Sequence, residues 1–161
     1  MKESVFIAIH CESQFYQNYD GISEAKKQTI IPLVIMMNRW DGKIGFIGGQ
    51  VDPGEDMLTA LVREVKEETG FELTSHHVSS IKKVSSSVYN ENKISFFELS
   101  LDKNDFNLLL SKQHLAEHYL TEGHLMTVHF INYEHMPSFN NFIQNNFSAT
   151  AKDEIYQLIS H

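Results

Sequence analysis

The feature that most restricts the fold of this chain is a glycine-rich loop that leads directly into an amphipathic helix, within residues 48–71. Gly48, Gly49 and Gly54 free the loop backbone for conformations that a larger side chain forbids. Apolar residues then recur at helical spacing, and Gly70 stands where a helix C-cap is expected. This order predicts a tight loop at the end of a strand, followed by a helix that packs on a sheet.

The predicted helix has two chemically different faces. Glu64, Glu67 and Glu68 lie three and four residues apart, so they share one face, where their charges repel by about 0.2–0.5 kcal/mol per pair. A divalent cation converts that repulsion into binding, because clustered carboxylates suit hard ions such as Mg²⁺. The simpler interpretation is a solvated acidic surface, which leaves the glycine loop without a purpose. The other face carries the apolar residues Leu58, Leu61, Val62 and Val65.

Arg63 adjoins the acidic face and is able to orient one carboxylate through a forked, charge-assisted hydrogen bond. Together these residues fill every fixed position of the Nudix box, so the chain resembles a Nudix hydrolase. The matching positions are Gly49, Glu55, Arg63-Glu64-Val65, Glu67-Glu68 and Gly70-Phe71. The resemblance implies an α/β (α+β) fold, namely an α/β/α sandwich with a mixed central sheet. It also implies hydrolysis, assisted by Mg²⁺ or Mn²⁺, of a nucleoside diphosphate linked to another moiety.

The same resemblance implies a role for each residue of the segment. The implied metal ligands are Gly48 (through its carbonyl), Glu64, Glu67 and Glu68. Arg63 orients Glu64, Glu55 supports the loop, and Glu64 is a candidate to deprotonate the attacking water. Nudix enzymes commonly add an acidic residue from a later loop. The candidates for that residue, in order of preference, are Glu122, Glu98 and Glu117.

Composition favours one globular domain over residues 1–161, because 42% hydrophobic content in a chain of this length supplies one core. No apolar run approaches the ~20 residues that a membrane span needs. Cys11 is the only cysteine, and the amino-terminal residues do not resemble a signal peptide, so we expect a cytoplasmic protein. The formal net charge of -8 disfavours a protein that grips long nucleic acid through its phosphates.

Strand-like and helix-like segments alternate along the chain, which favours an α/β or α+β fold with a mixed sheet. A polar loop of about twenty residues separates the first two strands. The predicted strands are 5–10, 30–37, 44–47, 78–88, 94–101 and 124–131. The predicted helices after the glycine loop are the helix ending at 69, then 105–119, 137–143 and 149–159.

A second, narrower resemblance bears on the substrate. Residues 36–49 and, more loosely, 142–155 are similar to inosine diphosphatases that also act as small-nucleolar-RNA decapping enzymes. This resemblance implies that His10, Arg39 and Phe46 approach the nucleotide. The chemistry agrees, since rings stack on a base and a guanidinium forks onto phosphate. The alternative is that His10 and Phe46 are core or rim residues.

Two positions depart from that branch. Ile47 stands where the branch favours proline, in the turn before the glycine pair. Glu154 occupies what resembles a glutamine position near the base. An ionised carboxylate accepts hydrogen bonds but lacks the donor of an amide, so we do not expect the base preference to follow the branch automatically.

A competing motif lies at residues 114–118, His-Leu-Ala-Glu-His, which matches the inverted zinc-peptidase signature. On a helix it would put two imidazoles on one face, but a zinc site needs a third protein ligand from elsewhere. Cys11 beside His10 also suggests thiol catalysis, although no further activating group is evident and a half-buried structural thiol explains it as well.

Three functions remain open from the sequence. The first is Mg²⁺-dependent cleavage of the pyrophosphate bond in nucleoside di- or triphosphates, or in nucleotide-capped RNA 5′ ends. The second is hydrolysis of dinucleotides such as ADP-ribose or NADH. The third is a nucleotide-sensing module without turnover, which would not need the complete carboxylate set. A homodimer also stays open, since Nudix proteins often dimerise.

Overall fold

The structure is a computed structural model that describes residues 1–129 and 137–160. The strands are β1 Lys2–Ser13, β2 Ile31–Arg39, β3 Ile44–Gly45, β4 Ile47–Gln50, β5 Lys82–Tyr89, β6 Asn92–Ser100 and β7 Gly123–Val128. The helices are α1 Glu24–Lys27, α2 Met57–Thr69, α3 Ser75–Ser79, α4 Lys103–Lys112, α5 Pro137–Phe142 and α6 Ala151–Ile159. None of the helices in these ranges is long and apolar enough to cross a membrane.

Strand β1 is the centre of a mixed sheet whose main order is β3-β2-β1-β6-β5. It pairs in parallel with β6, where Phe6 faces Phe96, and antiparallel with β2, where Ile9 faces Ile35. Its first half pairs instead with β4, so β2 and β4 follow each other along the same edge of β1. β7 extends the sheet by pairing with β2. The mixed sheet that the sequence predicts is therefore confirmed.

Helices cover both faces of this sheet because residues of β1 alternate between them. Val5, Ile7 and Ile9 point toward α2 and α4 and are fully buried. Ala8 points to the opposite face, where Ile155 of α6 is also fully buried. Two apolar cores thus lie on either side of one sheet, which is the α/β/α sandwich expected from the resemblance.

The structure corrects several predicted boundaries. The predicted strand 78–88 starts only at Lys82, because Thr74 and His77 form a capping box that winds the preceding residues into α3. The predicted helix 105–119 ends at Lys112 and continues as a 3-10 turn, Gln113–Leu115. The predicted strand 124–131 is observed as β7, and its last two residues lie outside the described part of the chain. The polar loop between β1 and β2 contains α1.

Candidate active site

Gly48 and Gly49 let strand β4 lie directly against β1 and α2, because neither residue has a side chain. A Cβ on Gly48 would lie 2.0 Å from the carbonyl oxygen of Val5 on β1. A Cβ on Gly49 would lie 2.4 Å from Oε1 of Glu64. Both distances are far below van der Waals contact, so a Cβ at Gly48 would collide with the backbone of β1, whereas a Cβ at Gly49 would push the carboxylate of Glu64 aside. The second contact is specific to the site, because glycine there lets a carboxylate of α2 lie directly on the strand.

Helix α2 is held by caps at both ends and by one apolar stripe. The side chain of Asp56 accepts a hydrogen bond from the Thr59 N–H at 3.0 Å, which caps the amino end. Gly70 ends the helix in the left-handed conformation, at φ 75°. Leu61 and Val65 are fully buried against the sheet. This packing fixes the rotation of the helix and therefore directs its acidic residues toward the glycine loop.

Glu55, Glu64, Glu67 and Glu68 form the acidic group of this site, and Arg63 binds the first three of them. Its Nε and Nη2 donate to the two carboxylate oxygens of Glu55 at 2.9 and 3.0 Å. Its Nη1 donates to Glu64 Oε1 at 2.9 Å and to Glu67 Oε2 at 3.2 Å. Nη2 also donates to the carbonyl oxygen of Gln50 at 2.9 Å, a contact that sequence reasoning missed. The hydrogen bonds with Glu55 are the main cause that raises the pKa of Arg63, and they lower the pKa of Glu55.

Glu64 and Glu68 are buried carboxyls, so both resist ionisation in the absence of a cation. Burial raises the pKa of Glu64, although Arg63 opposes the shift. Burial raises the pKa of Glu68 to about 9, although the Gly48 N–H donates to its Oε2 at 3.0 Å. A bound cation would favour the ionised form of both groups, because opposite charge offsets the loss of water.

The chemistry of these groups fits a hard divalent cation, because carboxylate and carbonyl oxygens are the ligands that Mg²⁺ prefers. Across residues 1–129 and 137–160, however, no three His, Cys, Asp or Glu side chains converge closely enough to form a metal site. Arg63 draws Glu64 and Glu67 to itself, and Glu68 turns to the backbone of Gly48. Metal binding therefore requires these side chains to change rotamer toward a common point.

The chain after α4 adds two groups to this region. The carbonyl of Glu122 accepts from the Trp40 N–H at 3.0 Å, and the negative charge of Glu122 contributes to the raised pKa of Glu68. The His118 N–H donates to the carbonyl of Glu67 at 3.0 Å, and His118 Nδ1 lies 4.0 Å from Glu122 Oε1. The preferred candidate acid, Glu122, thus lies near helix α2. His118 beside it was missed as part of this region.

The other two candidate acids lie elsewhere. Glu98 is on β6, where its Oε2 lies 3.5 Å from His10 Nε2, and Glu117 is exposed. The zinc-peptidase interpretation does not fit either. His114 lies in the 3-10 turn with its Nδ1 3.0 Å from the Ser111 carbonyl, so His114 and His118 do not share an α-helical face.

Phe46 and Glu154 line one small cavity, of about 10 Å³, together with Phe6 and Ser148. Phe46 is only 5% exposed, and its ring packs 4.8 Å from the ring of Phe96. A cavity of this size holds at most one water molecule, so a base enters only if Phe46 or its neighbours move. The two residues implied by the resemblance are therefore adjacent, but they are closed off.

Burial raises the pKa of Glu154 to about 7, although the Thr150 hydroxyl donates to its Oε1 at 2.9 Å. Near neutral pH a large share of this carboxyl is therefore protonated. A protonated carboxyl offers one donor and one acceptor, as the amide of glutamine does. The tertiary structure thus supplies the donor that the sequence at this position lacks.

Arg39 lies between the acidic group and the cavity that Phe46 and Glu154 line. Its Nε and Nη2 donate to the carboxylate of Asp41 at 3.3 and 3.1 Å, and its charge acts to lower the pKa of Glu68. A Cβ on Gly45 would lie 3.5 Å from Arg39 Cδ and 2.6 Å from Ser148 Oγ. Arg39 is therefore close to the acidic group on one side and to Ser148, which lines the Phe46 cavity, on the other.

His10 lies apart from Phe46 and Glu154. It lines a separate cavity of about 350 Å³ with Ser80, Lys82, Glu98 and Ser100. Burial lowers the pKa of His10, although nearby Glu98 opposes the shift. Cys11 beside it is 1% exposed, and burial raises the pKa of its thiol. A thiol nucleophile needs a lowered pKa, so this environment argues against thiol catalysis.

Comparison with known proteins agrees with this geometry. A sequence model of the Nudt16-like family, described as U8 snoRNA-decapping enzyme-like, matches residues 10–161. A U8 snoRNA-decapping enzyme from Homalodisca vitripennis is 48% identical over 46 residues, which cover 29% of this chain and 25% of that protein. The fold resembles a mutT/nudix family protein from Listeria innocua, with a TM-score of 0.63 and 11% identity over 99% of this chain and 92% of the other. Since the family match spans nearly the whole sequence, the chain belongs to the Nudt16-like, U8 snoRNA-decapping enzyme-like family of Nudix hydrolases.

Proposed function

We propose that this protein is a Mg²⁺-dependent Nudix hydrolase that cleaves the pyrophosphate bond of nucleoside di- or triphosphates, or of nucleotide-capped RNA 5′ ends. The observation that carries the proposal is the Arg63 network. One guanidinium binds the carboxylates of Glu55, Glu64 and Glu67 and the carbonyl of Gln50. A solvated acidic surface does not need such an arrangement, whereas a cation site benefits from carboxylates that are already held beside one another, so that only their rotamers change when the cation binds.

The divalent cation, when bound, neutralises phosphate oxygens and lowers the pKa of the attacking water. The protein residues would hold it through Glu64, Glu67, Glu68 and the carbonyl of Gly48, with Glu122 as the added acid. Arg63 keeps Glu64 and Glu67 beside the glycine loop, and Glu64 is the candidate to accept the proton of the attacking water. Arg39, close to both groups of residues, is placed to bind phosphate once it leaves Asp41.

The base of the nucleotide is proposed to bind at Phe46 and Glu154. The half-protonated carboxyl of Glu154 would accept a purine N1–H or donate to a base carbonyl. The family match favours RNA with a 5′ cap among the possible substrates, and the buried, unpaired cysteine is consistent with a cytoplasmic location.

The test measures turnover of purified protein with Mg²⁺ on inosine and guanosine di- and triphosphates, ADP-ribose, NADH and capped RNA. Glu67→Gln and Glu68→Gln should each lower kcat/KM by about 100-fold or more, because the ligand set loses a negative charge. Glu91→Gln is the matched control, since Glu91 is exposed in the β5–β6 turn and lies outside the Arg63 network.

The outcomes separate the three functions. Cleavage of mononucleotides or capped RNA supports the proposal, and cleavage of ADP-ribose or NADH alone would replace it with a dinucleotide pyrophosphatase. Binding of nucleotides without turnover of any of them would instead indicate a sensing module. Near-normal activity in both glutamine variants, with circular dichroism unchanged, would remove the carboxylates from the mechanism.

A further inference from the structure

A third cavity lies at the other end of strand β2 from the acidic group. It has a volume of about 440 Å³ and is bounded by the start of β2, the loop after β1 and the start of α4. The residues that define it are Phe15, Tyr16, Asn18, Tyr19, Lys103 and Asn107. Strand β2 begins here at Ile31 and ends at Arg39 near the acidic group, so the two sites are ~26 Å apart along the strand.

The aromatic rings of Phe15, Tyr16 and Tyr19 line this cavity, and each of them packs against another ring. Phe15 packs edge-on against the fully buried Phe106, with ring centroids 6.0 Å apart. Tyr16 and Tyr19 are also edge-on, at 5.6 Å. Tyr19 nevertheless remains 58% exposed. Phe15 therefore packs against the core, whereas the ring of Tyr19 is presented to solvent at the cavity.

Two lysines accompany these rings. Lys26 Nζ lies 5.2 Å from the centre of the Tyr16 ring, and Lys103 Nζ lies 5.8 Å from that of Phe15. Lys103 also donates to the Gln14 carbonyl at 3.4 Å, which holds its charge at the cavity wall. Lys27 pairs with Glu24 at 3.4 Å, so one local acid is already neutralised. In a chain of net charge -8, Lys26 and Lys103 thus place two positive charges beside the aromatic rings of this region.

We propose that this cavity binds an unstacked nucleobase and its phosphate from the single-stranded RNA that follows the capped 5′ end. Aromatic faces beside lysines bind successive bases and phosphates of single strands, and the amides of Asn18 and Asn107 supply donors and acceptors for a base edge. The inference rests on the proposed function in taking the RNA as substrate. Since the cavity lies ~26 Å from the acidic group, a free nucleotide reaches one site only, whereas an RNA chain reaches both.

The experiment measures binding of a fluorescently labelled ten-nucleotide RNA with a 5′-hydroxyl, by anisotropy, without divalent cation. Tyr19→Ala should weaken binding by about tenfold, as expected for the loss of one base-stacking ring. Lys103→Ala should weaken binding and also reduce the slope of log K against log salt by about one. Both side chains lie at the surface of the cavity, and neither belongs to the acidic group.

Matched controls come from the β5–β6 turn, at the opposite end of the sheet. Tyr89→Ala removes a tyrosine that is 44% exposed, and Lys93→Ala removes a lysine paired with Glu3. Both should leave RNA affinity within about twofold of the unmodified protein. Photocrosslinking of a 4-thiouridine RNA, followed by peptide mapping, should label residues 15–19.

Two results would overturn the inference: RNA affinity that falls equally in the control variants, or uridine monophosphate that competes at the same concentration as the RNA. The second result would assign the cavity to free nucleotides. Because the RNA carries no pyrophosphate, its binding is independent of catalysis. Absence of any pyrophosphatase activity would therefore contradict the proposed function without affecting this measurement. Hydrolysis of nucleoside diphosphates by Tyr19→Ala should match that of the unmodified protein.

Discussion

Gly49 carries no side chain at the place where strand β4 passes the carboxylate of Glu64. A Cβ there would lie 2.4 Å from Oε1, and the nearest carboxylate atoms are those of a group that is itself only 8% exposed. By contrast, Gly54 has open space around its Cβ position and needs glycine only for its backbone, at φ +81°. Two glycines of one loop are thus required for different physical reasons.

Gly49→Ala should displace Glu64 and lower kcat/KM by at least about tenfold, because the carboxylate can no longer lie against the strand. Gly54→Ala is the control and should cost about 1–2 kcal/mol of stability through backbone strain alone. Steady-state kinetics and thermal melts distinguish the two. Full activity in Gly49→Ala would show that the position of Glu64 does not matter for turnover.

The raised pKa of Glu154 is a second effect at the residue scale, and it has a definite sign. The folded protein holds the proton of this carboxyl up to pH about 7, whereas the unfolded chain releases it near the ordinary value of 4.5. Ionisation therefore opposes folding, and the stability of the protein falls as pH rises through this window. The effect is complete above pH about 7.

Glu154→Gln should abolish that loss, since the amide cannot ionise and still accepts from Thr150. The variant should be more stable than the unmodified protein at pH 8, by up to about 3 kcal/mol, and nearly equal at pH 4.5. Urea denaturation at both pH values measures this difference. Glu91→Gln, at an exposed position of the β5–β6 turn, is the control, and an equal pH response in both variants would contradict the assignment to Glu154.

At the scale of elements, helix α6 does two things at once. Its apolar face packs on the core between α6 and the sheet through Ala151, Ile155 and Leu158. The same face places Glu154 in the cavity beside Phe46. Position 154 is therefore fixed by the packing of its neighbour at 155. The helix is able to set the environment of one carboxyl because it is anchored by several apolar contacts.

Ile155→Ala should destabilise the protein by about 2–5 kcal/mol, because it opens a cavity at a fully buried position. Tyr156→Ala, one residue later and 43% exposed, should cost less than about 1 kcal/mol. Denaturant titrations of the two variants measure the contrast. Similar losses would mean that α6 is held mainly by its exposed face.

At the scale of the whole molecule, the two groups of proposed functional residues lie on opposite faces of the sheet. The acidic group belongs to the α2 face, and the Phe46 cavity belongs to the α6 face. The two groups come closest at Phe46, which is the residue between β3 and β4. Arg39 lies beside it, at the end of β2. A nucleotide that bridges the two groups would therefore lie beside Phe46 and Arg39.

The cation is expected to stabilise this arrangement without being required for the fold, since Arg63 already neutralises part of the acidic group. At a Mg²⁺ concentration tenfold above Kd, the gain is about 1.4 kcal/mol, or about 3–6 °C in Tm. Differential scanning fluorimetry with Mg²⁺ and with chelator measures it. Glu67→Gln should reduce the shift and Glu91→Gln should not, and a Tm that does not respond to Mg²⁺ in all three proteins would contradict a cation site.

The features that could be predicted from the amino-acid sequence depend on residues that lie close together in the chain. The glycine loop, the C-cap of α2 and the shared face of Glu64, Glu67 and Glu68 follow from spacing within one element, because helical geometry fixes which neighbours meet. Short apolar runs likewise predicted the buried strands. The family resemblance rests on this same contiguous segment, which is why it was visible without a structure.

Which distant segments contact one another could be seen only after the chain was folded. The parallel pairing of β1 with β6, the approach of Glu122 and His118 to the box helix, and the separation of His10 from Phe46 depend on strand register and loop paths. No local period encodes these. The protonation of Glu154 belongs to the same class, because burial by other elements, and not the identity of the residue, sets the cost of its charge.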